Sequence, residues 1–397
     1  MGRQIGGTLV IVDVGPVAHG GHCVARADGV VIFVRHALPG ERVRIEVTDR
    51  KKTYWLADAV EILTPSPDRV EAPCRFAGLC GGCDFQHVSA EGQLSLKTTV
   101  LREQLTRLGG LSESDVAGFE VEALPGGLLD WRTRVQYAVT RDGRPGLRMH
   151  HSHDIVHIDE CVIADPKIRA TDTLDRTWPG SSHVGVVAGD NGEVSVYTQR
   201  GRQKRGIVKS GPKTVVESLP PHQFHIDADA FWQVHPAAAG ILAATVTGML
   251  GPLPGETAWD LYAGAGLFTV ALAEAIGDHG AVVAVESDPR CRAEENLAKV
   301  PGASVMTSTV QSAIDRLPKP DVVVMDPPRS GAGKELVAAI AAARPRSVVY
   351  VACDPAALAR DLREFAGLGY RLADLASFDA FPMTHHFETV AQFDRVS

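Results

Sequence analysis

The chain has 397 residues, with 40 Lys and Arg against 48 Asp and Glu for a formal charge of −8. Bulk positive charge is therefore not what would draw it to a polyanion, although local basic patches could. At 45% hydrophobic and 22% charged residues it can build large cores in about two to three domains at ~150 residues each, while only 6% aromatics argue against a long stacking platform for single strands. No run of about 18 apolar residues suggests a membrane-spanning helix, Met1–Gly7 has no signal-peptide core, and seven cysteines in so long a chain are not a secreted disulfide framework, so a cytoplasmic location and no membrane partner are expected.

The first 63 residues alternate apolar and polar in short runs: Thr8–Asp13, Gly29–Val34, Glu41–Thr48 and Trp55–Leu63, separated by Gly/Pro turns. Short strands at this spacing predict a small β-barrel. Pro65-Ser-Pro marks a boundary, and three cysteines follow within residues 74–83. A helix is expected over Ser89–Leu108, with Leu94, Val100, Leu101, Leu105 and Leu108 on one stripe and Gly109-Gly110 ending it. Residues 120–225 mix strands such as Arg134–Thr140 and Glu193–Thr198 with Gly-rich turns. Beyond Pro236 the pattern becomes helix–strand alternation. Helices are predicted over 237–249, 267–276 and 289–299, and strands over Ala258–Tyr262, Ala281–Glu286, Ala303–Thr307, Asp321–Asp326 and Ser347–Ala352. Near-continuous apolar strands separated by helices mean a parallel sheet buried on both faces.

Four features fall at the carboxyl ends of those strands, where open α/β sheets bind ligands. Asp260-Leu-Tyr-Ala-Gly264-Ala-Gly266 turns from a strand into a helix, and its glycines let the backbone bend and approach a ligand at a helix N-terminus. Glu286 ends the next strand, where a carboxylate can accept from both hydroxyls of a ribose. The third glycine of a dinucleotide fingerprint is missing, Thr269 standing in its place, so an adenosine donor without phosphates, S-adenosylmethionine, fits better than NAD. Asp326-Pro-Pro-Arg329 follows the fourth strand as a stiff loop; Arg329 in place of an aromatic argues against methylation of a planar amine. Cys353 follows the fifth strand, and Glu388 precedes a last strand within Phe381-Pro-Met-Thr-His-His-Phe-Glu. Read alone, each has a bland alternative: a buried thiol, a solvated carboxylate, a rigid turn.

Cys74-x5-Cys80-Gly-Gly-Cys83-Asp-Phe-Gln-His, a distant Cys161, Phe231-Trp-Gln-Val-His-Pro, the Asp260–Gly266 loop, Asp326-Pro-Pro-Arg, Cys353-Asp-Pro and the segment ending in Glu388 occur in order along the chain. Together they resemble the RNA (uracil-5-)-methyltransferase family, in its iron–sulfur branch that includes bacterial 23S rRNA enzymes. The resemblance implies an α/β class I (Rossmann-like) methyltransferase domain over 229–397, preceded by a TRAM-like OB-type barrel over 1–63 and a central α+β domain with an iron–sulfur site over 66–228. It implies Cys353 as nucleophile and Glu388 as base, and Gln233, Tyr262, Gly264, Gly266, Glu286, Thr309 and Asp326 around S-adenosylmethionine, with Phe231 an aromatic beside the cofactor or base. Cys74, Cys80, Cys83 and Cys161 are implied as ligands of a [4Fe–4S] cluster; four thiols would also suit zinc. Asp354 departs from the asparagine the family often has after its cysteine. The remaining cysteines, Cys23 and Cys291, are expected as core or partly buried thiols.

The expected partner is structured RNA, 23S rRNA or tRNA, with the uridine flipped out or in a loop; no DNA partner is expected, and a monomer is. Candidate phosphate contacts are Arg50-Lys51-Lys52, Arg132, Arg134 and Arg200–Arg205. Two rival readings remain: an RNA cytosine-5 methyltransferase, disfavoured because Ala352 rather than proline precedes Cys353, and an RNA-binding or iron-sensing protein on a non-catalytic methyltransferase fold.

Overall fold

The computed structural model describes residues 8–396 apart from Arg202 and Lys204; Met1–Gly7 and those two members of the Arg200–Arg205 stretch lie outside the described residues. Five strands, β1 (Leu9–Val17), β2 (Cys23–Ala27), β3 (Val30–Arg35), β4 (Arg42–Arg50) and β5 (Tyr54–Thr64), close into a barrel in the order β1-β2-β3-β5-β4. Alternate residues such as Val12, Val14, Ile32, Val34, Val43 and Ile45 fill its interior, as the period of two requires. Four of these strands coincide with the runs the sequence predicts; β2 is an addition, five residues whose alternation is too short to stand out from the flanking Gly-rich turns.

The cysteine segment leads into α1 (Ala90–Arg107), where Ser89 Oγ caps the first turn by accepting from Gly92 N–H at 3.1 Å. After the single turn α2 (Glu113–Val116) comes β6 (Val121–Ala123). The central region then builds β7 (Arg134–Val139), β8 (Pro145–Arg148), β9 (Ile155–Val156), the turn α3 (Pro166–Arg169), β10 (His183–Ala188), β11 (Val194–Gln199) and β12 (Ile207–Ser210), six strands in the order β12-β11-β10-β7-β8-β9. A separate hairpin, β13 (Thr214–Leu219) and β14 (His222–Asp227), connects to α4 (Ala238–Leu250).

The remaining elements are β15 (Thr257–Leu261), α5 (Leu267–Ile276), β16 (Ala281–Glu286), α6 (Ala293–Leu297), β17 (Ala303–Thr307), α7 (Val310–Ala313), β18 (Val322–Met325), α8 (Lys334–Ala343), β19 (Ser347–Ala352), α9 (Pro355–Gly367), β20 (Tyr370–Asp379) and β21 (Glu388–Arg395). They form one eight-stranded sheet, β17-β16-β15-β18-β19-β21-β20-β6, in which β21 runs antiparallel to both neighbours. The predicted parallel sheet is present. Its faces alternate cleanly. Trp259, Leu261, Val285, Val323, Met325, Val348 and Tyr350 share a core with α8, α9, α1 and the barrel, whereas Ala258, Val282, Ala284, Val322, Val324, Val349 and Val351 pack beneath α4, α5 and the β13–β14 hairpin. One core therefore runs from the barrel through α1 to the catalytic sheet. The predicted helix 289–299 is broken: Pro289–Cys291 is a 3-10 turn, Arg292 adopts φ 56°, and only Ala293–Leu297 is α-helical. Arg292 is held there by ion pairs with Asp227 and Glu295.

Candidate active site

The carboxyl edge of the sheet gathers most of the predicted residues. Strand order places Glu286 at the end of β16, Tyr262 after β15, Asp326 after β18, Cys353 after β19 and Glu388 at the start of β21. In the antiparallel pair β19–β21, Ala352 faces Thr389, and this register sets the next residue, Cys353, opposite Glu388. The parallel pairing of Met325 with both Leu261 and Tyr350 brings Asp326 to the same edge, where its N–H donates to Leu261 O at 3.2 Å.

Electrostatics there is dominated by carboxylates. Glu388 is 3% exposed and its Oε2 has no hydrogen-bond partner; burial, then the charge of Asp326, push its carboxyl well above the usual range, with Arg329 opposing. Asp326 is pushed up to about 7 by burial and by Asp260. Asp260, fully buried beneath the loop, is likewise raised to about 7, chiefly by burial, although Thr269 Oγ1 donates to it at 2.5 Å. Burial and the neighbouring Glu388 and Asp326 push the Cys353 thiol up to about 12. A thiol in this setting ionises only when positive charge or a proton acceptor arrives beside it.

The glycine loop is shaped to leave room. Gly266 has φ 99°, and a Cβ there would strike Leu297 at 2.7 Å, so its role is packing α5 onto α6. Gly264, φ 57°, has open space where a Cβ would be, and its N–H donates to Glu286 Oε2 at 2.8 Å. Glu286 Oε1 accepts from the N–H groups of Ser287 and Asp288, each at 2.6 Å. The carboxylate thus spends three of its roughly four acceptor positions on the backbone and is locked in place. Tyr262 holds φ 65°, and Gln311 Nε2 donates to its hydroxyl at 3.2 Å; nothing in the sequence singles out Gln311, which lies in the one-turn helix α7. Thr309 is exposed at the start of α7, its hydroxyl donating to Ser312 Oγ at 2.9 Å. Gln233 is buried in the loop from β14 to α4, which Thr133 N–H ties to β7 through Val234 O at 2.9 Å; Phe231 in the same loop is 62% exposed.

From the barrel, His19 Nε2 lies 3.2 Å from Asp354 Oδ2, and Asp354 Oδ1 caps α9 by accepting from Ala357 N–H at 2.7 Å. The departure at 354 is thus a helix cap braced by a histidine.

The cysteine quartet lies elsewhere in the central region. Cys74, Cys80, Cys83 and Cys161 line one cavity with Phe76, Leu147, Ile158, Gln86 and Arg132. Gly82 N–H donates to Cys80 Sγ at 3.3 Å, and Arg132 is the cation beside Cys80 and Cys161. Among the described residues no three Cys, His, Asp or Glu side chains are grouped so as to hold a single metal ion. Four thiols on one cavity, with the Gly82 N–H on Cys80 Sγ and the Arg132 side chain in the same wall, are a donor set whose chemistry fits an anionic group larger than one ion. Cys23 and Cys291 are buried, as expected.

One phosphate-contact candidate is corrected. Arg134 is buried, paired with Glu217, and donates to Ala230 O at 3.2 Å; strand β7 turns it into the interior, so it is no RNA contact. Arg132 belongs to the cysteine cavity. Arg50, Lys51 and Lys52 are exposed, with Arg50 over the Trp55 ring at 4.5 Å and Lys51 paired with Asp49 at 2.7 Å. Arg200 and Arg205 are exposed. Among the described residues no helix is long and apolar enough to cross a membrane.

Similarity to known proteins agrees with this geometry. A family profile described as tRNA (Uracil-5-)-methyltransferase matches residues 316–396, which contain Asp326, Cys353 and Glu388, and a TRAM domain profile matches residues 4–60. A Streptomyces avermitilis protein called an uncharacterized RNA methyltransferase is 43% identical over 418 residues, covering 96% of each chain. This chain belongs to the RNA (uracil-5-)-methyltransferase family. A Streptomyces coelicolor relative of the same description is 44% identical, covering 96% of this chain and 91% of its own. The fold is that of the Pyrococcus abyssi tRNA (uracil-54, C5)-methyltransferase, solved with S-adenosyl-L-homocysteine: TM-score 0.71 at 24% identity, over 96% of this chain and all of the other. The methyltransferase is therefore of class I, with the TRAM module as the closed barrel.

Proposed function

We propose that this RNA methyltransferase moves a methyl group from S-adenosylmethionine to carbon 5 of a uridine in structured RNA, 23S rRNA or tRNA, with Cys353 as nucleophile and Glu388 as base. The register that sets Cys353 opposite Glu388, beside Asp326, carries this reading. Uracil carbon 5 is too weak a nucleophile to take a methyl group from a sulfonium. Addition of the Cys353 thiolate to carbon 6 makes an enolate that is nucleophilic at carbon 5. Carbon 5 then takes the methyl group and the donor leaves as the neutral thioether. Glu388 removes the proton from carbon 5, and the electron pair released expels the thiolate from carbon 6. A carboxylate whose pKa is raised by burial is a stronger base than a solvated one. Burial, then the charges of Glu388 and Asp326, hold Cys353 protonated; a sulfonium cation beside those carboxylates offsets the second of these causes, so adduct formation starts with the donor bound.

In this reading Gly264 and Glu286 face the adenosine of the donor, Tyr262 and Thr309 flank it, and Asp326 and Gln233 lie toward its methionine side. The TRAM barrel over 1–63 takes RNA through Arg50–Lys52, with the central domain over 66–228 and the methyltransferase domain over 229–397. The thiols of Cys74, Cys80, Cys83 and Cys161 hold a [4Fe–4S] cluster, which when bound supplies a rigid four-point cross-link between the cysteine loop and the segment of Cys161; the spread of the thiols around a cavity favours it over zinc. Purified protein should then be brown and contain iron, and C80S should lose both; colourless protein with stoichiometric zinc would refute the cluster. The function is tested by incubating the protein with labelled donor and unmodified RNA. Nucleoside analysis should give 5-methyluridine, absent with C353A; label in 5-methylcytidine, or label that survives C353A, would refute it.

A further inference from the structure

The segment leading to Glu388 has little regular structure of its own. Residues 380–387 are turns between β20 and β21, and Met383 adopts φ 67°. Their supports come from the opposite end of the sequence. Asp84, the residue after Cys83, and Phe85 both donate their N–H to Met383 O at 2.9 Å. Asp84 Oδ2 accepts from the His385 N–H at 3.1 Å and lies 2.6 Å from His385 Nδ1. On α1, Gln93 Oε1 accepts from Met383 N–H at 2.8 Å. The Met383 side chain packs against Trp131 and Ile163, with Cys83 and Cys161 at the rim of the same cluster. The wall of the cysteine cavity is thus also the bed on which residues 381–387 rest.

We propose that the cysteine loop is the mount of the base: Asp84 and His385 are positioning residues that hold Glu388 in register with Cys353. The proposal rests on Glu388 acting as base. A carboxylate displaced by about 1 Å loses on the order of 100-fold in proton transfer, and the reaction has a distinctive failure at that step. Thiolate addition and methyl transfer still occur, but the proton on carbon 5 stays, the C6–S bond is not expelled, and a methylated RNA remains joined to Cys353.

The test uses the full-length protein with labelled donor and RNA, in the variants D84N and H385A, on either side of the contact, and E388Q as reference. Turnover should fall about 10- to 100-fold in D84N and H385A, affinity for S-adenosylhomocysteine should stay within about twofold, and a labelled protein–RNA adduct resistant to denaturation should accumulate as it does in E388Q. H385A leaves the cysteine loop's own sequence intact, so it answers the question even if D84N folds poorly. If E388Q traps the adduct while D84N and H385A turn over normally, or slow without adduct and with weakened donor binding, the mounting role is overturned and the base assignment stands. If E388Q itself turns over freely, both fall.

Discussion

The two reacting side chains are held in different ways. Cys353 directly follows β19, a central strand fully buried and flanked by β18 and β21, and the next residue caps α9. Its position follows from regular structure formed nearby in sequence. Glu388 begins β21, but the turns before it lean on the cysteine loop, on Gln93 and on Lys97, which reaches Asp379 Oδ1 at 2.5 Å and Phe381 O at 3.3 Å. The nucleophile ends regular structure close in sequence, with one distant brace, His19 on Asp354; the base is approached through irregular turns that rest on residues some 300 positions away. Such an arrangement lets damage far from the sheet reach one chemical step while leaving the other steps intact.

The largest effect that would break this comparison is at Cys353. C353A should abolish methyl transfer while leaving thermal stability and RNA affinity close to wild type, read by label incorporation and by filter binding; retained turnover would remove the nucleophile from the account. E388Q should lower turnover by about 10²–10⁴-fold, with adduct visible on a denaturing gel.

The supports of the base are probed next through Lys97, which is 1% exposed. Removing one partner of a buried ion pair costs about 3–5 kcal/mol, so K97A should show a corresponding loss in urea unfolding. Asp379 is itself raised by burial against the pull of Lys97, and without Lys97 it must be protonated or sit as a lone buried charge. The cost should therefore shrink as pH falls. An unchanged midpoint would mean that α1 does not hold the segment.

The last effect lies on the nucleophile's side and concerns pH. Asp326 binds its proton up to about pH 7 in the folded state against 3.8 ordinarily. Between those values the folded state holds more protons than the unfolded, so stability falls as pH rises. D326N should remove the share of that decline due to Asp326, gaining on wild type from pH 4 to 7 in thermal unfolding; parallel curves would contradict the raised carboxyl.

Much of this edge was legible in the sequence because each motif follows an apolar strand, and parallel sheets place such positions together whatever the loops do. The helix 267–276 coincides with α5, its bounds fixed by the glycines at either end. Less legible was whatever depends on contacts remote in sequence. β6, three residues long, joins the far edge of the catalytic sheet beside β20, a pairing no local pattern encodes. Arg134 alternates like a surface strand residue, yet Glu217 from a hairpin about 80 positions on buries it. Asp84 and His385 are two polar residues in irregular segments, and only the folded chain brings them together.

The most direct measurement replaces the target uridine by 5-fluorouridine in RNA and adds donor. Fluorine cannot leave carbon 5 as a cation, so no base can complete the reaction, and a methylated RNA should remain covalently attached to the peptide containing Cys353, identified by mass spectrometry after digestion. Attachment to another residue, or no attachment by protein that methylates ordinary RNA, would contradict a thiolate adduct at position 353.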